Sequence, residues 1–139
     1  MAASPTRRNV PEPPSPFSYT ILRVVPSVER GECLNVGVVL FCRQRRFLGA
    51  RVQLDETRIR SLGARVPVIE VEAHLDALVR VAEGAADAGP VAALDQSERF
   101  GWLAAPSSTI VQPSEVHSGL CQDPAETLEA LFERLVLRP

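Results

Sequence analysis

The nine residues from Leu34 to Cys42 constrain this chain more than any others. They read Leu-Asn-Val-Gly-Val-Val-Leu-Phe-Cys, nearly all apolar and rich in β-branched side chains. A run this short and this apolar is a strand with apolar residues on both faces, and such strands sit centrally in their sheets. Gly37 within it marks a weak point, or a place where another group approaches closely. Arg43-Gln44-Arg45 makes a polar turn. From Arg46 to Leu54 the pattern alternates, with Leu48, Ala50, Val52 and Leu54 on one side and Arg51 and Gln53 on the other. Together the two runs predict a β-hairpin.

The remaining elements follow from the same periodicities. Tyr19 to Val25 is rich in strand formers and stops at Pro26, and the loop from Ser27 to Cys33 bends at Gly31. Val68, Val71, Leu75, Leu78 and Ala82 recur at helical spacing, which predicts a helix from Pro67 to Glu83, ended by Gly84. On its wet face, Asp76 with Arg80 and Glu70 with His74 are spaced to pair. Ser97 to Ala104 is a shorter helix or an irregular stretch. Ser108 to Val111 is a fourth strand, interrupted at Pro113 and resumed at Val116-His117-Ser118. At the end, Asp123 is a good N-cap, Pro124 suits the first helical position and Glu126 completes a capping box. Leu128, Leu131, Phe132, Leu135 and Val136 form the apolar stripe of that last helix.

The order of elements predicts an α+β single domain, with an antiparallel or mixed sheet of about four strands and helices packed on one face. The domain is expected to cover residues 18–139. Residues 1–17, with Pro5, Pro11, Pro13, Pro14 and Pro16, read as a Pro-rich flexible tail.

Composition narrows the partners. The net charge is −2 over 139 residues, which gives no global attraction to nucleic acid or to an anionic membrane. All 15 basic residues are arginine, a usage that a GC-rich genome explains. Seven of them, Arg43, Arg45, Arg46, Arg51, Arg58, Arg60 and Arg65, crowd one stretch against Asp55 and Glu56. Phosphate contact is one reading of that stretch. Only Phe47 is at hand to stack bases, so nucleic-acid binding through the arginine-rich hairpin is the weaker one. The first residues lack the apolar core of a signal peptide, and no run is long enough to span a bilayer, so a cytoplasmic protein is expected. Cys33, Cys42 and Cys121 have no pairing motif and fit a reducing compartment. With His74 and His117 they show no metal-ligand spacing, so neither a metal nor a cofactor is expected.

No complete catalytic set emerges. A glycine-rich phosphate loop and a nucleophile elbow are both missing. His117-Ser118-Gly119 resembles half of a two-histidine phosphoesterase signature, but His74-Leu75-Asp76 does not supply the other half. Polar chemistry concentrates instead in Arg99, Trp102, Ser108, Thr109, Gln112 and His117, together with Glu32 and Asn35 before the central strand. Arg99 offers a bidentate fork, and the hydroxyls and amides offer short-range hydrogen bonds. His117 is one of only two histidines in the chain. Gly37 and Gly101 would let backbone approach closely. These residues form the candidate ligand- or partner-binding surface.

Three segments carry a family resemblance: Tyr19-Thr20-Ile21-Leu22-Arg23-Val24-Val25-Pro26, Gly31-Glu32-Cys33-Leu34-Asn35-Val36-Gly37-Val38-Val39-Leu40, and the run from Arg99-Phe100-Gly101-Trp102 through Gln112-Pro113-Ser114. With Val116-His117-Ser118-Gly119-Leu120 and Asp123-Pro124, the chain resembles the bacterial domain-of-unknown-function family 3037 (DUF 3037). The likeness runs over nearly all of the chain from residue 18 onward. Ser107 stands where the family pattern has arginine, which weakens a phosphate-binding role for that loop. The resemblance implies no established activity. It implies an accessory or interaction module working with a protein partner, of the HipA-type kinase-like class. A ligand-binding domain or enzyme acting on a phosphorylated or nucleotide-like small molecule is the alternative.

Overall fold

The computed structural model describes residues 12–62, 65–107 and 109–138. Along the chain run β1 (Ser15–Val24), β2 (Leu34–Cys42), β3 (Phe47–Val52), α1 (Glu56–Ser61), α2 (Val68–Glu83), a short 3-10 turn (Pro90–Ala93), α3 (Gln96–Leu103), β4 (Val111–Pro113), β5 (His117–Cys121) and α4 (Pro124–Phe132). The last helix continues into a π-helical turn, Glu133–Leu137. The five strands form one antiparallel sheet in the order β3-β2-β1, with β4 and β5 end to end along the far edge of β1.

That far edge departs from a single interrupted fourth strand. β4 pairs with Leu22–Val24 and β5 with Ser15–Tyr19. Ser114 bridges the gap between them. Its N–H donates to the Ile21 carbonyl at 2.8 Å, and its Oγ accepts from the Ile21 N–H at 2.9 Å. Pro113 thus ends one strand, and a side-chain hydroxyl takes over where a ladder bond would stand.

The helices divide between the two faces of the sheet, where the sequence pattern alone places them on one. The cause lies in β2. Gly37 faces Leu22 and Asn35 faces Arg23, which leaves Val36 as an extra, unpaired residue. A bulge of this kind reverses the facing of everything beyond it. Val36 and Val39 therefore pack with Val71, Leu75, Leu78, Phe100 and Leu103 of α2 and α3. Val38, Leu40 and Cys42 pack with Leu128, Leu131 and Phe132 of α4. A strand apolar at almost every position has two faces to bury, and each receives its own helices.

β1 begins at Ser15, three residues before the expected boundary. Ser15 is buried and accepts a hydrogen bond from Arg45 Nε at 2.9 Å, while Phe17 is buried against α4. Pro16 is tolerated because the ladder to β2 starts only at Ser18, so β1 has a single neighbour there. Residues 1–11 of the expected tail lie outside the described residues.

Local chemistry sets the helix ends. Asp123 caps α4, its Oδ1 accepting from the N–H groups of Ala125 at 3.0 Å and Glu126 at 3.3 Å. Among the described residues, no return bond from the Glu126 side chain completes a capping box. Gly84 closes α2 in the left-handed region at φ 70°. Arg80 pairs with Asp87 beyond that cap rather than with Asp76. Close approach at Gly37 holds, since a Cβ there would lie 2.8 Å from Val52 Cγ1 and 2.9 Å from the Arg51 carbonyl. A Cβ at Gly101 would meet no neighbouring element within 4 Å, so the closeness expected there is not found.

Candidate functional site

The structure separates the residues that sequence reasoning grouped. Arg99, on α3, donates from its terminal nitrogens to the Leu94 carbonyl at 2.7 Å and the Ala82 carbonyl at 3.3 Å. It ties α3 to the last turn of α2, whose free carbonyls attract a cation. Glu32 pairs with Arg30 in the loop before β2. Asn35 donates through Nδ2 to the Leu135 carbonyl at 3.0 Å and holds the π-helical turn against the sheet. The Thr109 hydroxyl donates to the Val111 carbonyl at 2.8 Å, and Gln112 Nε2 donates to the Thr109 carbonyl at 2.9 Å. His117 stacks on Tyr19 with ring centroids 5.1 Å apart, and its Nε2 lies 3.5 Å from Glu115. Ser108 lies outside the described residues.

Two local groupings remain, on opposite faces of the sheet. On the α2 face, Trp102 and Thr109 border an apolar groove of about 260 Å³. Leu22, Leu78, Leu103, Val111 and Pro113 floor it, and His74 stands at its rim. Trp102 is 47% exposed there. His74 makes no ion pair with Glu70, so its place beside the groove is what the structure assigns to it. A larger hollow beside Arg60, Arg65 and Ile69 opens broadly to solvent and abuts residues 63–64, which are outside the described set.

On the α4 face, antiparallel pairing aligns Asn35, Arg23 and Gln112 in one row across β2, β1 and β4. Arg23 is the residue sequence reasoning passed over. It sits within the apolar run Ile21–Val25, where nothing in the pattern marks it. The signal that finds it is its placement between the two amides.

The arginine-rich stretch does not form one patch. Arg43 donates to Ser97 at 3.0 Å, Arg45 reaches Glu12 at 3.0 Å and Arg51 binds Glu129 at 2.7 Å. Arg58 donates to the carbonyls of Val136 at 2.8 Å and Leu137 at 3.0 Å. These bonds draw the guanidinium groups toward four different parts of the molecule.

The thiols and carboxylates complete the electrostatics. Cys42 and Cys121 are buried together and Cys33 is exposed. Burial, and then the neighbouring Cys42, push the Cys121 thiol above the ordinary range. Asp95 caps α3 by accepting from the Glu98 N–H at 2.8 Å, and that bond holds its carboxyl below the usual value. The hydrogen bond back to Asp95 pushes Glu98 upward. Among the described residues, no group of three or more histidine, cysteine or acidic side chains is arranged to hold a metal ion.

Over residues 19–136 the chain matches a family described as protein of unknown function, DUF3037. The chain belongs to the DUF3037 family. No curated protein and no solved structure is significantly similar to it. The matched span includes the residues of the groove beneath Trp102 and of the row through Arg23.

Proposed function

We propose that this chain is an interaction module that works with a protein partner, receiving an apolar segment of that partner in the groove beneath Trp102. The observation that carries the reading is Trp102 itself. It is the chain's one tryptophan, and it stands half exposed over an apolar floor. Tryptophans so placed are typical anchors of binding interfaces. The expected polar surface supports the same reading from the other side. Arg99, Thr109 and Gln112 each spend hydrogen bonds on nearby backbone, and they do not converge on one ligand.

The resemblance to family 3037 names the first partner to test, a HipA-type kinase-like protein from the same bacterial cytoplasm. None of the described helices is long and apolar enough to cross a membrane.

The experiment uses the indole as its own reporter. On titration with the kinase-like partner, Trp102 emission is expected to shift to the blue as the ring is dehydrated. Trp102→Ala is expected to weaken binding by about 2 kcal/mol or more, the scale of an interface hot spot. Its denaturation midpoint is expected to stay close to that of the parent, because the ring is not part of the core. Unchanged emission together with undiminished binding by Trp102→Ala would overturn the reading.

A further inference from the structure

We infer that the face of the sheet opposite α2 carries a binding site for a carboxylate, with Arg23 as the recognising cation. Four arginines of the described residues are half-buried: Arg23, Arg45, Arg58 and Arg99. Three of them have a place for the guanidinium. Arg45 holds Ser15 at 2.9 Å, Arg58 holds the Val136 carbonyl at 2.8 Å, and Arg99 holds the Leu94 carbonyl at 2.7 Å. Arg23 differs. Among the described residues, no carboxylate, carbonyl or hydroxyl receives its side chain, and its Nε is sealed from solvent without an acceptor. Buried polar groups are nearly always paired, and an unpaired one calls for a reason. Arg99 also has a sealed Nε, but its two terminal bonds already explain its position.

The surroundings of Arg23 say what it is suited to bind. The register at the Val36 bulge sets Asn35 beside it on β2, and the β4 pairing sets Gln112 beside it on the other flank. Cross-strand neighbours of this kind stand roughly 5 Å apart. Each amide has committed one proton to a carbonyl, Asn35 to Leu135 and Gln112 to Thr109. An amide nitrogen carries two protons, so each keeps a second. α4 and the π-helical turn pack over β2 and β3, so their cover falls on one side of Arg23. The sealed Nε fixes the stem, and only the two terminal nitrogens are left to meet a ligand.

One planar, singly charged fork between two neutral amides matches a carboxylate. Its two oxygens accept two parallel N–H bonds from the end of the guanidinium. A phosphate dianion would leave a charge uncompensated, since no second cation shares the row. The carboxylate has two sources, a small organic acid or the end of a peptide chain. The site lies on the face opposite the Trp102 groove and stands independently of the partner reading.

The test is an NMR titration of the 15N-labelled protein with acetate, benzoate, a tetrapeptide with a free C-terminus, its C-terminal amide, and inorganic phosphate. The Arg23 Nε–Hε resonance is expected to shift saturably with the carboxylates, at the millimolar affinities usual for ligands this small. Arg23→Gln is expected to abolish saturation, and Trp102→Ala is expected to leave it intact. Tighter binding of the free peptide than of acetate and benzoate, lost on amidation, assigns the site to chain ends. Equal or tighter binding of the small acids assigns it to organic acids. Should Arg23→Gln fail to fold, Arg23→Lys and the Hε shift of the parent protein carry the test. An Hε resonance unmoved by every carboxylate, a titration unchanged in the variant, or phosphate binding more tightly than all the carboxylates would each overturn the proposal.

Discussion

Thr20 donates its hydroxyl proton to the carbonyl of Ser114 at 2.7 Å, joining the fully buried middle of β1 to the bend between β4 and β5. The Ser114 hydroxyl in turn accepts from the Ile21 N–H and donates to the Glu115 carbonyl at 2.8 Å. Removing one partner of a buried hydrogen bond costs about 1–3 kcal/mol, because the other is left without water or mate. Thr20→Val and Ser114→Ala are each expected to lower stability by that amount, read as a fall in urea midpoint at constant m-value. Midpoints equal to the parent would mean that this bend does not hold the two strands.

The C-terminal helix gives a sharper contrast. Leu131 is buried beside Phe132 and Leu128 on the α4 face of the sheet, so Leu131→Ala is expected to cost about 2–5 kcal/mol as a cavity. Asp123→Ala removes a cap that serves two N–H groups and is expected to cost about 1 kcal/mol. Denaturant titration of both variants checks the order as well as the size.

Two glycines are expected to respond in opposite directions. A Cβ at Gly49 would lie 2.8 Å from the Phe47 ring and 3.1 Å from Leu128, so Gly49→Ala is an overpacking change expected to destabilise by about 1–3 kcal/mol. Gly101 lies within α3 with open space around it, so Gly101→Ala is expected to stabilise by about 0.5–1 kcal/mol. Thermal melts of the pair separate the two effects.

The cysteines are expected to react in order of exposure. Iodoacetamide at neutral pH should label Cys33 in the native protein and all three thiols only after unfolding. Cys121 is protected twice, by cover and by a thiol held protonated through burial. Because its folded value lies above the unfolded one, its contribution to stability is present below the ordinary thiol range and is lost as pH rises through the folded value. Mass spectrometry of the adducts checks the order. Native labelling of Cys121 as fast as Cys33 would contradict the packing described.

Much of the fold can be read in the chain because several elements carry redundant signals. α4 has a cap, a first-turn proline and an apolar stripe, all pointing to the same start. The β2–β3 hairpin has one run with both faces apolar and one that alternates. What escaped reading depends on partners distant in sequence. The bulge at Val36 is hidden in a run where every neighbour is apolar, so no change of pattern marks it. With it went the switch that puts Val36 on the α2 face beside Val39 rather than on the α4 face with Val38 and Leu40. α1 was missed because its six residues, Glu56–Ser61, are too few to show a stripe. Pro113 was visible as a break, but only Ser114's bonds to Ile21 explain why the chain continues along the same neighbour.

The candidate site shows a different limit. Arg99 and Gln112 are close in sequence, yet one clamps two helices and the other faces Arg23 on the far side of the sheet. Only spatial placement separates an arginine whose fork is already occupied from one whose fork meets no acceptor among the described residues. Of the expected surface, Trp102 and Thr109 meet at the groove, and Asn35 and Gln112 meet across Arg23.

The pairing of β1 also sets an order of events during synthesis. Its first partner, β2, follows after the loop of residues 25–33, and the β1–β2–β3 meander needs only local chain closure. The other edge of β1 stays open until Val111 to Cys121 have been made, roughly ninety residues after β1 itself. Contacts this distant close slowly, and an open strand edge is a template for any passing chain. On the ribosome, a nascent chain stalled before Val111 is thus expected to be prone to aggregation, and emergence of Val111 to Cys121 is expected to end that hazard.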